Sequence, residues 1–133
     1  MPDDARNPVA AREPAEAGKP VIDPAVWTGA EMAGRTDWIY TLTTEDTAAL
    51  GDLAKRVRAT IGDDPNGLLQ IARADADLGA FGAPMAEIFH QLKDGHGFEL
   101  IRGMPVATWD RLDLAIAYWA IGLQIGVPLS NNP

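Results

Sequence analysis

The chain has 133 residues, a one-domain length, with a formal net charge of −8 and no cysteine. Its eleven Lys and Arg residues are scattered, with no cluster beyond Lys55-Arg56-Val57-Arg58, so it offers no basic patch for nucleic acid or for an anionic membrane surface. Without thiols it makes no disulfide, cysteine nucleophile or Cys-ligated zinc or iron–sulfur centre, a composition that fits a reducing, cytoplasmic setting.

Residues 1–25 are read as a disordered tail. Pro2, Pro8, Pro14, Pro20 and Pro24 are spaced through Ala, Glu, Asp and Arg, and large apolar residues are nearly absent. Such a segment buries too little surface to offset its ordering entropy. Its acidic start has no apolar h-region and does not read as a secretory signal. Order is expected from Val26-Trp27-Thr28-Gly29 onward, so 26–133 forms the folded part.

Trp38-Ile39-Tyr40-Thr41-Leu42 is aromatic and β-branched, which predicts a short strand. Thr43 then caps a helix, with Asp46 in its first turn. Leu50, Leu53, Ala54, Val57 and Ile61 give that helix one apolar stripe, and residues 62–67 end it in a loop. Residues 68–81 are ambiguous between a helical turn and an irregular packed segment. Pro84 suits a first helical position. Met85, Ile88, Phe89 and Leu92 make the apolar face of a helix that ends at Gly95.

Residues 98–101 form the next predicted strand. Thr108 is the expected cap of a last helix over about 109–125. Leu114, Ala115, Tyr118, Trp119, Gly122, Leu123 and Ile125 place apolar groups around most of its circumference. The stretch 114–129 is interrupted by Gln124, Gly126 and Pro128, and falls short of the ~18 apolar residues a membrane helix requires.

Candidate chemistry is sparse. A facial iron triad needs His-x-Asp/Glu plus a distant His. His90 is followed by Gln91-Leu92 and His96 by Gly97-Phe98, so neither opens that motif. Asp63, Asp64, Asp75 and Asp77 read as turn or cap residues. Thr43, Thr44 and Thr108 read as caps, and Ser130 has no evident base. Gly122-x-x-x-Gly126 lies within or at the end of a helix rather than opening one, so it is not a phosphate loop. Trp119 and Trp38 read as core and strand residues, which leaves Trp27 and Trp109 open.

Four segments carry a family resemblance in the family's order. They are Val26-Trp27-Thr28-Gly29, the run from Trp38 to Asp46, Gly97-Phe98-Glu99-Leu100-Ile101-Arg102-Gly103-Met104-Pro105-Val106, and the stretch from Tyr118-Trp119 to Asn132. Over residues 26–133 the chain resembles the entry segment of the TauD/TfdA-like Fe(II)- and 2-oxoglutarate-dependent dioxygenases. The resemblance implies an α+β segment, the N-terminal helices and first strands of a double-stranded β-helix (a cupin-like jelly roll), incomplete in this chain.

It also implies Fe(II) and 2-oxoglutarate as cofactors of the full-length enzyme, a small organic substrate, and decarboxylation of 2-oxoglutarate to succinate. The family's iron ligands and its 2-oxoglutarate arginine lie downstream of this segment. No catalytic, cofactor-binding or metal-binding residue carries over, and Arg102 belongs to the strand motif. Asn132 is the one implied substrate-lining position. The segment alone is therefore expected to bind neither cofactor and to be catalytically silent.

Residues 98–101 have few partners in so short a chain, so an exposed strand edge offers a route to self-association. Poor stability, oligomerisation or aggregation of the isolated chain is expected. A sharp monomeric melt would count against that. The alternative reading is a non-catalytic binding or assembly module derived from the same family. A third is a small α+β protein whose similarity is coincidental.

Overall fold

The computed structural model describes residues 12–131. In chain order the elements are α1 (Gly29–Met32), β1 (Ile39–Thr41), α2 (Thr44–Ile61), three 3-10 turns (Pro65–Gln70, Arg73–Asp75 and Gly79–Phe81), α3 (Gly82–Asp94), β2 (Leu100–Arg102) and α4 (Arg111–Ile125). They fall into two compact units. One takes in residues up to 40 together with 87–102, and the other residues 41–86 together with 103 onward.

In the first unit, β1 and β2 form a two-stranded sheet, and the Leu100 N–H donates to the Trp38 carbonyl at 2.8 Å. Both strands are three residues long, shorter than the sequence suggested for β1 and shifted towards Arg102 for β2. A double-stranded β-helix needs two multi-stranded sheets, whereas the described residues contain this one pair. Thr28 and Glu31 close a reciprocal capping box on the single turn of α1. Residues 12–25 run as mostly exposed loop and turn. There, Arg12 pairs with Asp23 at 2.5 Å and donates to the Lys93 carbonyl at 3.0 Å. Residues 1–11 of the expected tail lie outside the described residues.

The second unit is built on α2. Thr43 Oγ1 accepts the Asp46 N–H at 3.1 Å, and the Asp46 carboxylate accepts the Thr43 N–H at 2.9 Å. Two donors that a helix start leaves unpaired are thus satisfied reciprocally. Asp46 is buried, so this box sits in the packed interior of the unit. Leu50, Leu53, Ala54 and Val57 are buried along one stripe, and Ile61 at its end is half-buried. Against them pack the turn at Gly79–Phe81, with Phe81 wholly buried, and α4.

The ambiguous segment resolves into 3-10 turns, each started by local polar chemistry. Asp64 accepts the Asn66 N–H, Asp75 reaches back to the Ala72 N–H, and Asp77 accepts the Gly79 N–H. Tight i→i+3 turns have no 3.6-residue period, so no amphipathic stripe announces them. Helix α3 begins at Gly82, two residues before the expected Pro84. Of its predicted apolar face, Met85 and Ile88 are buried, Leu92 is half-buried and Phe89 is exposed, while Gln91 is buried instead.

The cap of α4 is Asp110, not Thr108. Asp110 Oδ1 accepts the Leu112 N–H at 2.8 Å, whereas Thr108 closes a turn onto the Pro105 carbonyl through both its N–H and its hydroxyl. That turn leaves Trp109 outside the helix. The wrap of apolar residues around α4 also divides. Leu112, Ile116, Ala117, Ala120 and Leu123 are buried, Trp119 is half-buried and donates to the Ile71 carbonyl at 3.3 Å, and Tyr118 and Ile125 are exposed. Among the described residues no helix is long and apolar enough to cross a membrane.

Loss of the α2 box gives a direct test of this unit. Thr43→Ala should lower stability by about 1 kcal/mol, and Thr43→Ser should restore most of it, read from urea-unfolding midpoints at constant slope. An unchanged midpoint in Thr43→Ala would mean that the buried box contributes nothing in solution.

Candidate functional site

Three of the four resemblance segments meet in the first unit. Trp27 donates its indole N–H to the His96 carbonyl at 3.0 Å. Its ring stands against Phe98 with centroids 5.1 Å apart, and Trp38 approaches Phe98 at 5.5 Å. His96 meets Phe98 edge-on at 5.1 Å. These spacings suit edge and tilted aromatic pairs, and the buried end of each indole finds an acceptor, Trp38 through the Arg35 carbonyl at 2.9 Å. The segment led by Val26, the one led by Trp38 and the Gly97-Phe98 strand are thereby tied into one cluster across some 70 positions of sequence.

Phe98 is the centre of that cluster, and His96 is its most buried polar member. The His96 side chain and that of Glu99 are almost completely buried, with Nε2 3.0 Å from the Glu99 carboxylate. Gly97 makes this pairing geometrically accessible. Its φ of +86° is a left-handed value that a side chain resists, and it turns the chain so that residues 96 and 99 face one another. Nδ1 of His96 is buried and has no hydrogen-bond partner. The sequence reading missed this pair. The signal was His-x-x-Glu spanning a glycine, which only the turn converts into contact.

His90 behaves differently. It is exposed and lies 3.6 Å from Asp94 one helical turn later. Among the described residues no group of three His, Asp or Glu side chains is placed to hold a metal ion. Asn132 lies outside the described residues, and Arg102 ends β2 with its side chain exposed.

In the second unit, a depression of about 620 Å³ runs beside the first turns of α2, lined by Thr43, Thr44, Thr47, Asp52, Lys55 and Trp109 among others. The Trp109 ring lies over Gly51, where a Cβ would stand 3.4 Å from the indole, an ordinary contact distance. Arg58 closes the other end of α2. Its guanidinium lies within 3.2 Å of Asp63, Asp110 and Asp113, which couples the end of α2 to the start of α4. No nucleophile–base pair is formed around the depression, and its threonines serve α2. Thr43 caps the helix, and the Thr47 hydroxyl donates to the Thr43 carbonyl.

Also in the first unit, Arg35 pairs with Asp37, bonded through two guanidinium nitrogens at 2.8 and 2.6 Å. That bond holds the Asp37 carboxyl below its usual range against an opposing desolvation cost, and raises Arg35 in turn. Asp23 and Glu31 are also lowered, first by the backbone N–H groups of Ala25 and Thr28 that they accept. These are positioned carboxylates in turns and caps, and Glu31 shares its box with the Thr28 hydroxyl, which is engaged in capping α1.

No family model matches the chain. Among curated proteins it is similar to the FR-33289 synthase of Streptomyces rubellomurinus (strain ATCC 31215), with 25% identity over 117 residues. The match takes in 86% of this chain and 32% of the synthase, so the chain spans about a third of that relative's length.

The Asp37 pairing has a signed pH consequence. A carboxylate whose folded pKa is depressed contributes stability that is present above its unfolded value and lost as the pH falls through the lowered folded one. Asp37→Asn should therefore remove part of the acid-side loss of stability, while costing less than about 1 kcal/mol at neutral pH because the pair is partly exposed. Urea unfolding at a series of acidic pH values, followed by tryptophan emission, reads this. Identical pH slopes for the two proteins would count against it.

Proposed function

We propose that this chain is the N-terminal part of a cytoplasmic Fe(II)- and 2-oxoglutarate-dependent dioxygenase of the TauD/TfdA kind. The whole enzyme oxidises a small organic molecule while 2-oxoglutarate is decarboxylated to succinate. The observation that carries the reading is the meeting of Trp27, Trp38 and Phe98, one from each of three resemblance segments, in a single cluster. Independent segments that share one packing job are a more demanding coincidence than any single motif. The similarity to a synthase about three times as long is compatible with a longer parent protein and says nothing of its chemistry.

The described residues do not fit the iron. His96 has one ring nitrogen committed to Glu99 and the ring enclosed by Phe98, and His90 faces outward beside Asp94 alone. No metal-ligand group forms from them, so no chemical step is assigned to them. Their contribution to the whole enzyme is architectural: a packed aromatic cluster in one unit, and a capped helix pair in the other.

Two measurements test this. The coding DNA is read past codon 133 in all frames, and the longer polypeptide it encodes is assayed for succinate with Fe(II) and 2-oxoglutarate. The expected result is a downstream His-x-Asp/Glu, a later His and a C-terminal Arg, with turnover by the long form and none by this chain. A stop without those residues would sink the enzyme reading and favour the binding or assembly module.

A further inference from the structure

Residues 12–26 are tied to the rest of the first unit at two places of unlike character. At one end the Arg12 guanidinium reaches the C-terminal end of α3, donating to the Lys93 carbonyl at 3.0 Å and lying 3.5 Å from Asp94, and it pairs with Asp23 at 2.5 Å. A helix C-terminus favours a cation at this place. The Glu13 N–H donates to the Ile22 carbonyl at 3.2 Å, so the segment between them is drawn into a loop whose ends meet. At the other end Ala25 lies against the left-handed turn at Gly97, where an added Cβ would stand 3.3 Å from the Ala25 Cβ. Trp27 follows, with its N–H on the His96 carbonyl and its ring against Phe98.

Asp23 joins the two ties. One carboxylate oxygen takes Arg12, the other accepts the Ala25 N–H at 2.8 Å, and the Asp23 carbonyl accepts the Val26 N–H at 2.9 Å. The turn that delivers Ala25 and Trp27 to the aromatic cluster is thus fixed by the same carboxylate that the guanidinium holds. The ties answer differently to the solvent. The Arg12 side chain is 50% exposed and that of Asp94 36%, and ion pairs in such a setting are weak and screened by salt. The Trp27–Phe98 contact carries no net charge and is not screened. Val21 and Ile22, the bulky apolar residues of the loop, are about half exposed, so burial adds little to hold it down. A segment with one weak, screened tie and one firm tie opens as a flap hinged beside the firm one.

We propose that residues 12–26 are a strap, latched by Arg12 on the end of α3 and released by rising ionic strength, and that Asp23 passes the state of the latch to Trp27 and the Gly97 turn. With the latch shut, both oxygens of Asp23 are engaged and the turn at 23–26 is set. With it open, the carboxylate is free to turn to water, the Ala25 N–H loses its acceptor, and the outer wall of the cluster loosens. The order around a buried histidine is thereby made to depend on a surface charge pair.

The intact chain is compared with Arg12→Gln by amide hydrogen exchange and by the indole N–H resonances in NMR spectra, the Trp27 signal being assigned from Trp27→Phe. At about 20 mM salt, exchange over 13–26 should be at least about threefold faster in Arg12→Gln, and its Trp27 signal displaced. Raising the salt to about 0.5 M should carry the unsubstituted chain to the values of the variant and leave the variant nearly unmoved, with exchange over 50–57 of α2 as the control. Arg12→Lys keeps the charge without the planar fork and should fall between the two. Asp23→Ala should quicken exchange over 96–98 at least as much as Arg12→Gln does. The salt series on the unsubstituted chain gives the same reading should a variant misfold.

Equal exchange over 13–26 in the two proteins at low salt overturns the latch. So does a salt response that Arg12→Gln shares in full, which would place the effect elsewhere in the chain. A strap that opens while the Trp27 signal and the exchange over 96–98 stay fixed overturns the coupling through Asp23 and reduces the segment to a surface loop.

Discussion

The packing of α4 on α2 is the constraint from which the second unit follows. Leu50, Leu53 and Val57 on α2 meet a stripe of α4 that includes Ile116, Ala117 and Ala120, and small residues at 117 and 120 allow a close approach. Once that stripe is committed, the helix has no rotational freedom left, and Tyr118 and Ile125 must point elsewhere. Arg58 holds this choice at one end by engaging Asp110, the cap of α4, and Asp113 in its first turn. Exposed ion pairs contribute little singly, but a guanidinium shared among three carboxylates fixes helix register as well as charge. Gln124 adds a second tie, donating to the Ala76 carbonyl as well as to its own helix.

The first unit obeys a different logic. It has few aliphatic residues to bury and uses rings instead. Phe98 is met by two indoles and an imidazole, and each polar tip that the rings bring inward is answered, apart from Nδ1 of His96. Such a cluster is sensitive to shape, because tilted aromatic pairs fix the orientation of both partners. This explains why a resemblance can be concentrated in tryptophan, phenylalanine and glycine without any of them doing chemistry. The glycine at 97 is needed for its left-handed turn, and the rings are needed because so small a unit has little else to pack.

Legibility in the sequence followed the range of the interactions. Helix α2 could be read because its box, stripe and terminating Gly62 are all local and agree with one another. The cap of α4 could not, since Thr108 and Asp110 are both good capping residues and the choice turns on a Pro105 carbonyl that captures one of them. The 3-10 turns were obscure for want of a period. The burial of His96 was invisible, because it needs Gly97 to turn the chain and a Phe98 ring that is itself held by the distant indoles of Trp27 and Trp38. The division of α4 into a covered and an uncovered face was equally hidden, since residue type alone marks both faces as apolar.

What remains is the relation between packing and chemistry in such a chain. Among the described residues, the carboxylates of Asp46, Asp64, Asp75, Asp77 and Asp110 already have local duties in turns and caps, and the buried histidine is spent on Glu99. Recruiting any of these as an acid, base or ligand would break a cap or a buried pair, at a cost of about 1–3 kcal/mol each. Side chains so engaged are therefore not spare for acid, base or ligand duty. The exposed side of α4, at Tyr118 and Ile125, is by contrast apolar surface that the packing of the second unit leaves uncovered.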